Sequence, residues 1–144
     1  MIQTMAGIEL RLACARLMAA QGHEEPPGRA KITPGFHLPA RYVLHTVGPI
    51  VRGTLREKDR DLLAACYRAC LSLAAAHGLR SVAFCCISTG VFHFPPEEAA
   101  PIAMQTVRRW LDAHADTTIR RVIFDVYEDS DRARYAALLS PGER

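Results

Sequence analysis

Ser81-Val82-Ala83-Phe84-Cys85-Cys86-Ile87, continued by Ser88-Thr89-Gly90-Val91-Phe92-His93-Phe94 and then Pro95-Pro96-Glu97-Glu98, is the stretch that decides the fold class. Residues 81–87 are apolar at successive rather than alternate positions, the pattern of a central strand covered on both faces. Two prolines and two carboxylates then open a helix, where free backbone amides and the helix dipole favour them. Pro101 fits that helix only within about its first turn, before an interior amide is needed.

Working outward, Arg121–Tyr127 (RVIFDVY) reads as the last strand, and Asp129–Leu139 as a last short helix. Upstream, Arg41–Val47 (RYVLHTV) is a strand closed by Gly48 and Pro49, and Ala30–Thr33 is a candidate brief strand. Thr54-Leu55-Arg56-Glu57 has the spacing of a capping box. The helix it opens runs to about His77, burying Leu62, Cys66, Ala69, Cys70 and Leu73. Gly78 and Leu79 supply a left-handed cap and its apolar contact. An earlier helix, about Met5 to Ala20, carries the stripe Met5, Ile8, Leu12, Ala15 and Ala19 and ends at Gly22. Its only N-cap candidate is Thr4. Helices alternating with apolar strands imply an α/β protein, a three-layer α/β/α sandwich around a mostly parallel, mixed sheet.

The chain has 144 residues, 49% hydrophobic and 23% charged, so one globular domain is expected and disorder is excluded as the main state. A net charge of +3 permits an anionic ligand. The arginines are dispersed over several elements, which points to a solvated surface rather than a nucleic-acid face. No apolar stretch approaches a bilayer span, and no secretory leader is evident, so neither nucleic acid nor membrane is an expected partner and a cytoplasmic location is expected. Cys14, Cys66, Cys70, Cys85 and Cys86 form no CxxC pair and no regular framework, and they read as buried free thiols. Cys85 and Cys86, adjacent in a strand, are expected to face opposite ways.

In open α/β sheets ligands bind outside the carboxyl ends of the strands. Ser88 to Phe94 occupies such a place. Consecutive amides at the start of a helix can converge on one anion, and Gly90 lets a ligand approach the backbone. Phe92 and Phe94 can pack on a sugar or base, with His93 between them. The other reading is a plain strand-to-helix turn whose phenylalanines belong to the core, and local spacing alone leaves both open. The loop lacks the lysine and glycine spacing of a P-loop, so phosphoryl transfer is not favoured. Lys31-Ile32-Thr33-Pro34-Gly35 and His45-Thr46-Val47-Gly48-Pro49 form a second segment, in which His45 reads as a packed histidine. His23, His37, His77 and His114 are scattered without ligand spacing. No serine elbow, HExxH or GxGxxG is present.

Taken in order, Ala6-Gly7-Ile8-Glu9-Leu10-Arg11, residues 28–39 (GRAKITPGFHLP), residues 42–49 (YVLHTVGP) and residues 87–95 (ISTGVFHFP) resemble the macro domain family over nearly the whole chain. His93 stands where most macro domains have glycine. With Cys85-Cys86 and Gly22-His23-Glu24-Glu25-Pro26, it resembles the zinc-dependent protein-ADP-ribosyl hydrolase subclass. The resemblance implies that Ser88, Thr89, Gly90, Val91 and Phe92 wrap a diphosphate with backbone amides and that Phe92 packs on the distal ribose. It makes His93 and Tyr127 further candidate ligand contacts, and it places the end of the last strand, Val126 and Tyr127, near the adenine with Tyr127 as a stacking partner.

The implied family activity is hydrolytic removal of ADP-ribose from mono-ADP-ribosylated proteins, often linked to a sirtuin-type ADP-ribosyltransferase. The implied cofactor is Zn²⁺, which would polarise ribose hydroxyls or activate water. A full macro domain also has an earlier section, with an adenine-reading acid, an Asn-rich loop and the Cys/His loop that holds zinc. No counterpart is found in this chain, and Gln3 sits where the family usually has histidine. Residues 1–144 are therefore expected to be a single macro-like domain, the C-terminal part of a full one, missing its first strands. The expected chain keeps the diphosphate-binding half of the site, with no catalytic or metal-ligating residue named. The alternatives are a non-catalytic ADP-ribose or nucleotide-binding module and a non-functional truncated remnant.

Overall fold

Four short strands and three helices follow one another in the computed structural model, which describes residues 27–36, 38–89, 92–126 and 128–139. The order is β1 (Ala30–Pro34), β2 (Tyr42–Thr46), α1 (Glu57–Ala76), β3 (Ser81–Phe84), α2 (Pro96–Ala113), β4 (Arg121–Phe124) and α3 (Asp129–Leu138). The expected helix over Met5–Ala20 and its stop at Gly22 lie outside the described residues. The class is α/β, with both strand senses present. The described strands form two ladders rather than one continuous sheet: β1 with β2 antiparallel, and β3 with β4 parallel.

Helix α1 forms where its apolar residues recur on one face. Leu63, Cys66, Tyr67, Cys70, Leu71 and Ala74 are buried, the i, i+3, i+4, i+7 progression of a helix laid on a core. This stripe corrects the expected one: Leu62, Ala69 and Leu73 are only half-buried. The start is corrected too. Thr54 lies before the helix, and the capping carboxylate is that of Asp59, whose Oδ2 accepts from the Arg56 amide at 3.0 Å. Asp59 is 2% exposed, so the bond answers both a free helix donor and a buried carboxylate. The far end is as expected. Gly78, at φ +65°, donates to Ala75 and Leu79 donates to Ala74, at 3.0 and 3.1 Å.

The other helices are tied to α1 and to each other. Trp110 Nε1 donates to Ser72 Oγ at 3.1 Å, and Arg60 of α1 pairs with Glu98 of α2 at 3.1 Å. Arg108 of α2 donates to the Leu138 carbonyl at 2.8 Å, seating α3. Pro101 lies in the second turn of α2, past the expected first turn, and is exposed.

Strand β3 stops at Phe84, so Cys85 and Cys86 lie beyond it and strand alternation does not govern them. Its burial alternates, with Val82 and Phe84 inside and Ser81 and Ala83 exposed. The expectation of a strand covered on both faces is not met among the described residues. A line of rings crosses from helix to helix through the parallel ladder. Tyr67 lies 4.9 Å from Phe84, Phe84 6.2 Å from Phe124, and Phe124 4.9 Å from Tyr135. This packing fixes the carboxyl ends of β3 and β4 against α1 and α3. Among the described residues no helix is long and apolar enough to cross a membrane.

Candidate functional site

Past β3 the chain turns sharply at Ser88, a non-glycine residue at φ +65°, and returns to α2 through His93, at φ +62°. Three hydrogen bonds hold this loop. Thr89 Oγ1 donates to the Cys86 carbonyl at 3.2 Å. The Phe94 amide donates to the Ser88 carbonyl at 2.8 Å, and the Val51 amide donates to the Phe92 carbonyl at 2.9 Å. Phe94 is 1% exposed and anchors the return in the core, whereas Phe92 is half-buried and His93 exposed. The two readings of the phenylalanines therefore divide: Phe94 is a core residue, and Phe92 remains on the loop's accessible side. Gly90, Val91 and Tyr127 lie outside the described residues.

The end of the antiparallel ladder backs the loop. The Val47 carbonyl accepts from the Gly28 amide at 3.0 Å and from Cys66 Sγ at 3.3 Å. Gly48 and Pro49 are buried behind it. A Cβ on Gly48 would collide with Ser88 Oγ, so glycine is required there by close approach. Sequence reasoning read Gly48 only as a strand end. Its role depends on a contact between segments forty residues apart, which no local pattern announces.

Beside the loop, beyond the carboxyl ends of β3 and β4, lies a cleft of about 540 Å³ lined by Cys85, Cys86, Thr89, Asp125, Val126 and Arg134 among others. Val126 lines the cleft, at the strand end that the resemblance places near the adenine, while Asp125 and Arg134 were not singled out as site residues, although Asp125 directly follows a parallel strand. The rule that ligands sit at such ends is the signal that finds them. Asp131, 8% exposed, pairs with Arg134 at 2.8 Å on the same side.

The electrostatics favour binding over covalent chemistry. Partial burial raises the Cys86 thiol above its ordinary range, and the Asp131 carboxylate raises it further, which keeps it protonated and a poor nucleophile. Burial pushes the Tyr135 hydroxyl up to about 12 and that of Tyr67 well above its usual value. Ser88 Oγ is buried with no hydrogen-bond partner among the described residues, so no base activates it there. What remains is a strand-end loop beside an open cleft of about 540 Å³.

The cysteines are not uniformly buried. Cys66 and Cys70 are, while Cys85 is exposed and Cys86 intermediate; Cys14 lies outside the described residues. His45 is a packed histidine as expected, its Nε2 2.8 Å from Thr33 Oγ1 across the β1–β2 ladder. His77 and His114 each donate through Nδ1 to a carbonyl of their own helix, and His23 and His37 lie outside the described residues. Among the described residues no three His, Cys, Asp or Glu side chains converge as a metal-ligand set.

Comparison with known proteins places this arrangement. Residues 1–103 match the macro domain. The protein-ADP-ribose hydrolase of Treponema medium is 52% identical over 139 residues, 96% of this chain and 52% of that protein. The protein-ADP-ribose hydrolase of Staphylococcus aureus strain MSSA476 is 50% identical over 135 residues, 93% of this chain and 50% of that protein. The chain thus spans about half the length of these curated relatives. Among solved structures, the Oceanobacillus iheyensis macrodomain with ADP superposes with a TM-score of 0.88 at 38% identity, covering 96% of this chain and 72% of that one. The Trypanosoma brucei macrodomain in complex with ADP gives 0.83 at 37% identity, covering 96% of this chain and 55% of that one. Together with the strand-end loop and its cleft, the match over residues 1–103 and the identity to these relatives mean that the chain belongs to the macro domain family.

Proposed function

We propose that this chain binds ADP-ribose and contributes that binding surface to a protein-ADP-ribosyl hydrolase acting on mono-ADP-ribosylated proteins. The observation that carries the reading is the loop from Ser88 to Phe94, pinned by three hydrogen bonds at the carboxyl end of β3 beside a nucleoside-sized cleft. In this reading the amides of residues 88–92 hold the diphosphate, Phe92 packs on the distal ribose, and the cleft beside Thr89 and Val126 takes the adenosine. Tyr127, which follows Val126, stacks on the adenine. The likeness to hydrolases of Treponema medium and Staphylococcus aureus supports the activity.

The reaction is addition of water across one bond. The water oxygen joins the anomeric carbon of the distal ribose, the bond from that carbon to the protein side chain breaks, and the freed side chain takes a proton. The chain's own part is to hold the diphosphate and distal ribose so that this carbon is fixed for attack. The zinc-dependent subclass would supply a metal to polarise a ribose hydroxyl or activate that water. The described residues offer no ligand set for it, and no step is assigned to zinc. A transferase of the sirtuin type is the class of enzyme that would supply the substrate.

A second reading is binding without turnover: the loop and its cleft account for holding ADP-ribose, and no described side chain is assigned to activate the attacking water. One experiment separates the two. The full chain is titrated calorimetrically with ADP-ribose, then incubated with mono-ADP-ribosylated protein with and without added zinc. Binding with release of ADP-ribose supports the hydrolase, and binding without release supports the module. Absence of binding overturns both.

A further inference from the structure

The end of the β3–β4 ladder away from the cleft gathers charge that the sequence scatters. Arg80 directly precedes β3, Arg120 directly precedes β4, and Arg121 is its first residue. The Arg80 carbonyl accepts from both the Arg120 and the Arg121 amides, at 2.7 and 3.2 Å, so three arginines leave the backbone from one spot. Side chains brace it. Thr118 Oγ1 donates to the Leu79 carbonyl at 2.8 Å, and the Ile119 amide donates to Thr117 Oγ1 at 3.3 Å. The start of β2 reaches the same end, where the Tyr42 ring lies 5.8 Å from that of His77, the C-cap of α1. Arg41, next to Tyr42, adds a fourth arginine.

All four are exposed. Among the described residues none pairs with a carboxylate, and the ion pairs involve Arg56, Arg60 and Arg134 instead. Arg120 donates from its side chain to the Thr117 carbonyl at 3.0 Å. Like charges this close repel, and nothing in the described chain offsets that cost. An external anion does, and the planar fork of arginine suits a carboxylate, which it can engage by two bonds at once. The surroundings say which anion. Asp112, in the last turn of α2, and Asp116, on the connection into β4, are exposed at this end. They repel a uniform polyanion, whereas a protein surface of mixed charge can match them. The exposed large apolar residues of the described chain are Ile50, Ile123 and Leu139, so no aromatic platform for a nucleic-acid base accompanies the arginines.

We propose that the amino ends of β2, β3 and β4 form a docking surface for an acidic polypeptide, recognised through Arg41, Arg80, Arg120 and Arg121. The cleft lies beyond the opposite ends of β3 and β4, so a partner held here leaves it open. The inference is independent of which ligand the cleft takes.

The test titrates the full chain against fluorescently labelled poly-L-glutamate and an oligothymidylate of equal charge, reading anisotropy. Poly-glutamate binds at about 20 mM salt and is released by about 200 mM, as screening shortens to about 7 Å. Arg80→Glu combined with Arg121→Glu weakens it at least about tenfold and does not lower the melting midpoint, because like charges are parted. Arg52→Glu combined with Arg132→Glu makes the same change in net charge on exposed residues elsewhere and costs no more than about threefold. An equal loss in the two double variants overturns the inference, since overall charge then explains the binding. Oligothymidylate binding as tight as poly-glutamate also overturns it, by making the surface a general polyanion site. So does absence of poly-glutamate binding at low salt, or a lowered midpoint in the Arg80 and Arg121 variant, which makes these arginines structural.

Discussion

Gly48 faces Ser88 where the ends of the two ladders meet. A Cβ at Gly48 would run into the Ser88 hydroxyl and lie 2.7 Å from Ile87 Cγ2. Gly48 follows β2 and Ser88 follows β3, so the antiparallel and parallel ladders, which share no backbone hydrogen bonds among the described strands, touch here at their carboxyl ends. The loop proposed to hold the diphosphate stands on this contact. Its position depends on a missing side chain as much as on the residues present.

Gly48→Ala should therefore damage stability and binding together. Inserting a methyl where the neighbours are backbone-anchored costs about 1–3 kcal/mol, and the displaced Ser88 shifts the amides that follow it. Gly53→Ala is the control. At φ +75° with nothing within 4 Å of a Cβ, it should cost about 1 kcal/mol through backbone strain alone and leave ADP-ribose binding unchanged. Urea titrations and calorimetry on both variants check the pair; equal binding losses would remove the Gly48–Ser88 contact from the account of the loop.

The two loop phenylalanines should separate as their burial does. Phe94→Ala empties a site 1% exposed and should cost about 3–5 kcal/mol of stability. Phe92→Ala, at a half-buried position, should cost little stability. It should weaken ADP-ribose by about 1 kcal/mol, the lower end of what an aromatic platform contributes to such ligands. Melting midpoints and affinities measured side by side decide this, and the assignment of Phe92 fails if its loss destabilises without touching affinity.

These phenylalanines also show where sequence reading stops. The strand, loop and helix around them were legible because apolar runs, prolines and first-turn carboxylates are local signals. The Gly78 cap was legible for the same reason, its hydrogen bonds reaching back only to Ala74 and Ala75. Which phenylalanine enters the core was not, because that depends on how Phe94 packs after the loop closes. The face of α1 was missed by one step, Leu63 rather than Leu62, since a run rich in Leu, Ala and Cys offers adjacent stripes of similar polarity. Asp59 displaced Thr54 as the capping group because both precede or open the helix with acceptors, and only the backbone settles which reaches a free amide.

Stability should fall on the alkaline side. Burial pushes the Cys70 thiol up to about 12 from an ordinary 9.0, and it raises Cys66, Tyr67 and Tyr135 in the same direction. Between the unfolded and folded values the native chain keeps protons that the unfolded chain releases, so stability is fully present below about pH 9 and declines as pH rises towards 12. Urea midpoints at about pH 7.5 and about pH 10 should show this drop, and Cys70→Ala should lessen it. An identical drop in that variant would show that Cys70 is not the group responsible.

The acid side is governed by a different residue. His45, half-buried in β2 with Thr33 Oγ1 at 2.8 Å, has its pKa lowered from 6.5 by desolvation. The unfolded chain therefore binds this proton first. The contribution of neutral His45 is complete above the unfolded value and is lost as pH falls through 6.5 towards the lower folded value. β1 and β2 are joined across this pair, so acidification should loosen that ladder before it affects β3 and β4. Amide exchange followed by NMR at about pH 7 and about pH 5.5 should show β1 and β2 losing protection first. In His45→Gln, which keeps a hydrogen-bonding side chain but cannot titrate, the difference between ladders should disappear. Equal loss of protection in both ladders of the unaltered protein would remove His45 as the acid-sensitive point.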